Sequence, residues 1–174
     1  MEKIIRDRSI EFWLRYKVFN QNQFGYLRNK STLSQLLLCY NDWAQARNAK
    51  ITTDVFFFRF PKSVRHIVPY EPVLHKLEQY GISGVLLNWF RNFLTNRSQC
   101  VVVRGSFSTW TKVTSGVPQG TSLGPILILT YINDFRNGIS SPTKLFADDT
   151  KVYRGLIDLE KDKQILQSDL DRMT

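Results

Sequence analysis

The chain has little cysteine: Cys39 and Cys100 stand alone and far apart. Two thiols so placed exclude a disulfide framework and a thiol-based zinc site, so both are expected as reduced thiols in a reducing compartment. Long apolar runs are also missing. No stretch approaches the ~20 apolar residues that a membrane-spanning helix needs. The opening MEKIIRDRSIEFW places charges where a secretory leader carries its apolar segment. These absences point to an intracellular protein, nuclear or cytoplasmic, neither secreted nor inserted in a membrane. Repeats, low-complexity tracts and Gly/Ser/Pro-rich linkers are lacking too. The 174 residues therefore read as one continuous piece, an ordinary domain or part of a larger one.

What is present is a core-forming composition with a strong positive balance. Hydrophobic residues make up 43%, enough for a real core, and 24 Lys plus Arg against 15 Asp plus Glu leave a net charge of +9. A charge of that sign on a small domain favours a polyanionic partner; a basic solubility surface is the alternative.

Taken in order, Glu2 to about Val18 spaces Ile4, Ile5, Phe12, Trp13 and Tyr16 among charges as a basic amphipathic helix does. Gln23 to Thr32 is turn-rich and basic, and its hydroxyl residues can cap a helix from Leu33 to about Asn48. Thr52 to Phe60, TTDVFFFRF, is β-branched and aromatic, as expected for a buried central strand. Helices follow at Glu71–Tyr80 and, capped by Ser83, up to about Asn96. Trp89 and Phe90 are expected in the core, and His75 at the surface. Strands at Ser98–Arg104 and Phe107–Thr114, joined at Gly105-Ser106, lead into the loop Ser115-Gly116-Val117-Pro118-Gln119-Gly120. An apolar helix, Leu123 to Phe135, comes next, and a charged amphipathic one, Leu156 to Met173, closes the chain.

Two stretches carry chemistry. In KLFADDTKVY, short apolar runs flank Asp148 and Asp149, the pattern by which a tight hairpin displays acids at its tip. Such carboxylates are hard oxygen ligands of the kind that hold Mg²⁺ together with substrate phosphates, whereas a solvated Asp-Asp turn is the bland alternative. In the loop, Gly116 and Gly120 permit unusual dihedrals, Pro118 stiffens the turn, and Gln119 offers an amide to a nucleotide or template.

In this order and spacing, SGVPQGTSLGPILILTYINDF followed by LFADDTKVY resembles the reverse transcriptases of non-LTR (LINE-like) retrotransposons. The resemblance runs from about Glu2 to the C-terminus. It implies an α+β polymerase palm, a small antiparallel sheet backed by helices, with partial fingers in residues 1–50 and palm in 51–174, and with thumb and endonuclease absent. It also implies RNA-directed DNA polymerisation on an RNA template with a DNA primer and deoxynucleoside triphosphates, supported by Mg²⁺. Asp148 and Asp149 match the hairpin ligands, Gly116, Pro118, Gln119 and Gly120 match the loop that positions nucleotide and template, and Arg28 and Lys30 match fingers cations that meet phosphate. There are departures. Leu27 stands where the family has Arg, and Asn29, which tolerates a left-handed backbone, where it has Gly. Arg59 occupies the position of the first catalytic acid, Val64 that of the aromatic sugar gate and Arg65 that of a second Asp. Asp54 cannot substitute, because it lies on the opposite face of the strand and ~17 Å from Arg59. The resemblance thus implies impaired catalysis, or a non-catalytic nucleic-acid-binding remnant.

Overall fold

A computed structural model describes residues 1–59 and 68–173. Phe60, Val64 and Arg65 lie outside the described residues. The fold is α+β, and its two compact units interleave in sequence, one from Met1–Trp13 with Pro61–Tyr131 and the other from Leu14–Phe60 with Ile132–Thr174.

The first unit is mostly helical. Helix α1 spans Glu2–Arg15, α3 Tyr70–Gln79, α4 Gly84–Leu94 and α5 Gly124–Ile132; α2 (Thr32–Asn48) belongs to the second unit. Large apolar side chains make its core: Trp13 and Phe90 are fully buried, with Leu74, Leu77, Leu94, Leu123 and Leu127. Burial leaves the Trp13 indole N–H needing an acceptor, and it donates to the Tyr80 carbonyl at 3.0 Å. Four short strands, β2 Ser98–Gln99, β3 Val102–Val103, β4 Ser106–Phe107 and β5 Thr111–Lys112, form a broken ribbon, β2 against β5 and β3 against β4. Its tip is Arg104-Gly105, both with positive φ (48° and 82°), which is the two-residue turn that suits the twist of paired strands. The turn was expected one residue later, at Gly105-Ser106; the β3–β4 register decides against that.

The second unit holds the sheet. Helix α2 (Thr32–Asn48) starts at a capping box in which Ser31 and Ser34 exchange side-chain and backbone bonds, worth about 1 kcal/mol. Strands β1 (Thr52–Arg59), β6 (Thr143–Phe146) and β7 (Asp149–Leu156) form an antiparallel sheet in the order β1-β7-β6. The aromatic strand β1, expected to be central and buried, is instead an edge strand of this sheet. The centre is β7, laddered on both sides, whereas Phe56 and Phe57 of β1 are exposed. A continuous apolar run reports surface available for burial, not which edge of a strand finds a partner.

Helix α6 (Leu159–Asp171) packs on β7, with Val152, Leu166 and Met173 buried among Phe58, Phe135 and Ile139. It starts later than the sequence pattern indicates because Leu156 is still paired with Thr52, and Asp158 accepts from the Lys161 N–H as its cap. Helix α1 likewise stops before Val18, with Lys17 in the left-handed region at φ 53°. Helix α5 stops at Ile132, which frees Phe135 to stack on Phe58 at 5.4 Å between ring centroids.

Candidate functional site

Within the second unit, Phe146 pairs with Asp149, so the β6–β7 turn is Ala147-Asp148. Asp148 stands on the turn and Asp149 opens β7. Ala147 carries φ 53°, a conformation for which glycine is the usual residue. What holds an alanine there is the segment Asn22–Gly25. The Leu145 N–H donates to the Asn22 carbonyl and the Phe24 N–H to the Leu145 carbonyl, each at 2.8 Å, a parallel bridge along the outer edge of β6. The buried Gln23 side-chain oxygen accepts from the Ala147 N–H at 2.9 Å and the Gly25 N–H at 2.7 Å. Gly25 lies so close to Ala147 that it has no room for a side chain. Asn133, from the YIND stretch, braces the start of this segment by accepting from the Asn20 N–H and donating to the Val18 carbonyl.

The two expected phosphate cations of this unit differ. Arg28 is exposed. Lys30 donates to the Gln21 carbonyl and lies over the Phe24 ring at 4.8 Å; burial, with Lys144 nearby, lowers its pKa. Leu27 is buried and contributes to the core. Asn29 adopts φ 60°, so the turn keeps the conformation that a glycine would give it.

Across the sheet, Arg59 is the register partner of Asp149. Its Nε lies 3.3 Å from Oδ1 of Asp149 and 3.7 Å from Oδ2 of Asp148. The Asp148 side chain is only 10% exposed, whereas those of Asp149 and Arg59 are 53% and 60% exposed, so Asp149 and the cation stand on the solvent side of Asp148. Asp54 is paired with Arg154 at the far end of the strand, away from the acids. Glu71 lies in the first turn of α3 and pairs with Arg91 at 2.6 Å.

The loop of the first unit is built around a residue that the sequence does not advertise. Arg97 donates from Nη2 to the Gly116 carbonyl at 2.6 Å and to the Tyr70 hydroxyl at 3.0 Å, and from Nε to the Leu94 carbonyl at 2.8 Å. The Tyr70 hydroxyl in turn donates to the Val113 carbonyl, and the Gly116 N–H to the Val68 carbonyl. Gly116 and Gly120 have φ 81° and 74°, and Pro118 lies between them. Thr121 Oγ1 donates to the Pro118 carbonyl and accepts from the Gly124 N–H, which ties the loop to the first turn of α5. A polar cleft of about 450 Å³ opens beside the loop, lined by Arg97, Gln99, Lys112, Ser115, Gly116 and Gln119 among others.

The profile of the family described as reverse transcriptase (RNA-dependent DNA polymerase) matches residues 1–172. The chain belongs to the reverse transcriptase family. Among curated proteins this reverse transcriptase domain is similar to a probable RNA-directed DNA polymerase from transposon BS of Drosophila melanogaster, with 24% identity over 139 residues. That match covers 76% of this chain and 14% of the relative. Among solved structures it is similar to telomerase from Candida albicans in complex with a fragment of telomeric RNA, with a TM-score of 0.66 and 14% identity. The likeness covers 98% of this chain and 31% of that one, and it shows the fold.

Family members in general use Mg²⁺, and the acids here are poorly suited to it. A guanidinium already rests on both carboxylates. Among the described residues no three His, Cys, Asp or Glu side chains gather as a metal site requires. Among the described residues, too, no helix is long and apolar enough to cross a membrane.

Proposed function

We propose that this chain is the palm and part of the fingers of a non-LTR retrotransposon reverse transcriptase, an RNA-directed DNA polymerase whose nucleotidyl transfer is impaired. Residues 1–50 are the fingers portion and 51–174 the palm. Its partners are an RNA template, a DNA primer and deoxynucleoside triphosphates, met inside the cell. Asp148 and Asp149 are the acids of the reacting centre. Gly116, Pro118, Gln119 and Gly120 form the loop that meets nucleotide and template, and Arg28 and Lys30 supply positive charge toward phosphate.

The observation that carries the reading is the contact of Arg59 with Asp149 at 3.3 Å, at the strand position where the family pattern has an acid. A fixed cation there repels a divalent metal and neutralises the carboxylates that would bind it. The same contact favours a second reading, a non-catalytic nucleic-acid-binding module with net charge +9.

Primer extension on an RNA template, with and without Mg²⁺, separates the two. Weak incorporation that vanishes when Asp148 and Asp149 are both changed to Ala supports the impaired polymerase. Salt-sensitive binding with no incorporation above that control supports the module. Incorporation at a rate typical of polymerases overturns the impairment.

A further inference from the structure

From Gln79 to Asn133 the sequence contains no Asp or Glu, yet it contains Arg91, Arg97, Arg104 and Lys112. Arg91 is matched by Glu71. The other three stand on or at the foot of the β2–β5 ribbon, and among the described residues none is in a salt bridge. Every residue from Val101 to Lys112 is exposed, including Phe107 and Trp110 at 70% and 68%. Large rings left in water among uncompensated cations are costly on a monomer and mark an interaction surface.

We infer that this ribbon is a binding platform for single-stranded nucleic acid, with Phe107 and Trp110 stacking on bases while Arg104 and Lys112 meet phosphates. The inference rests on the nucleic-acid reading above and adds a surface outside the loop and hairpin acids. Charge selects the occupant: a partner here must bring negative charge and flat apolar rings together. A single strand alternates phosphate and base at close intervals, and every base offers a face to an aromatic side chain. A duplex keeps its bases stacked on one another and leaves the two rings unused. The polar cleft at the foot of the ribbon, with Arg97, Lys112 and Gln119 on its walls, continues the cationic track.

Fluorescence anisotropy with short labelled oligo(U) and oligo(dT), and with a blunt DNA duplex as competitor, tests this. The variants are Phe107→Ala, Trp110→Ala and the pair Arg104→Gln with Lys112→Gln. Tyr40→Ala, which removes an aromatic on α2 that is also exposed, is the control. Each ring removed should weaken single-strand binding about tenfold and leave duplex binding unchanged. Each cation removed should make the dependence of log K on log salt shallower by about 0.7. Unfolding midpoints should stay near that of the parent, because the side chains are exposed. Equal binding by the ring variants and the parent overturns the inference and leaves the nucleic-acid reading intact. Failure of the parent to bind any nucleic acid overturns both. A concentration-dependent dimer abolished by Phe107→Ala or Trp110→Ala assigns the surface to a second copy of the chain, which also overturns it.

Discussion

A Cβ added to Gly25 would stand 2.4 Å from the backbone nitrogen of Ala147, a distance that Cβ atoms essentially never show to a backbone atom of a non-neighbouring residue. The acid-bearing turn is therefore shaped by a glycine far away in sequence. Gly25→Ala should force the turn and the Asn22–Gly25 segment apart and cost about 1–3 kcal/mol, the usual range for overpacking. Urea denaturation reads the loss. A stability equal to that of the parent would mean that the contact is slack.

Gln23→Ala leaves two N–H groups, those of Ala147 and Gly25, without their shared acceptor. A buried donor left unsatisfied costs about 1–3 kcal/mol. Gln23→Glu keeps an acceptor in place, and its unfolding midpoint should lie between those of the parent and the alanine variant.

Arg59→Asp should reverse the sign of the site. Three carboxylates then face one another, so stability without metal should drop, and Mg²⁺ should restore it by mass action, about 2.7 kcal/mol at a hundredfold excess over Kd. Calorimetric titration of both forms measures this. Tight Mg²⁺ binding by the parent, or no gain in the variant, would show that Arg59 does not stand at the metal position.

Arg97→Ala removes hydrogen bonds to Gly116, Leu94 and Tyr70 at once, and bonds to a charged group are worth about 1.5–3 kcal/mol each at most. Arg97→Lys should recover little of the loss, because an ammonium cannot reproduce the planar fork. Thermal unfolding of the three forms gives the order, and a lysine form as stable as the parent would count against it.

Asp162 accepts from Arg154 and from the Ile157 and Asp158 N–H groups, and the Arg154 bond first, then the backbone bonds, hold its pKa below the ordinary 3.8. A carboxyl depressed by folding stabilises the fold above its unfolded value and loses that contribution as pH falls through the folded value. The parent should therefore lose more stability than Asp162→Asn between neutral pH and pH about 2, with the two curves converging at the acid end. Urea midpoints across that range test the slope.

The local devices were legible in the sequence. Gly116 and Gly120 have the dihedrals that the loop pattern demands, Asn29 takes the left-handed place of a glycine, and the acids lie at a tight turn beside Arg59. What remained hidden depends on partners distant in sequence. The place of β7 at the centre is invisible, because its Asp-Thr-Lys-Val-Tyr-Arg run is more polar than that of β1. Its neighbours on both edges, not its composition, make it central. Arg97 goes unmarked in the sequence, because its acceptors are backbone carbonyls and a hydroxyl, which leave no trace in a charge pattern.

The bridge between Gln23 and Leu145 also bears on the order of folding. A two-residue hairpin forms in microseconds on its own, but the Ala147 N–H meets Gln23 across 124 positions, and such contacts close only after the intervening chain has compacted. The carboxylates are therefore expected to acquire their final aim late in folding. An excised KLFADDTKVY peptide would populate a hairpin without holding that aim, and hydrogen exchange at the Ala147 amide would report the opening of the whole second unit.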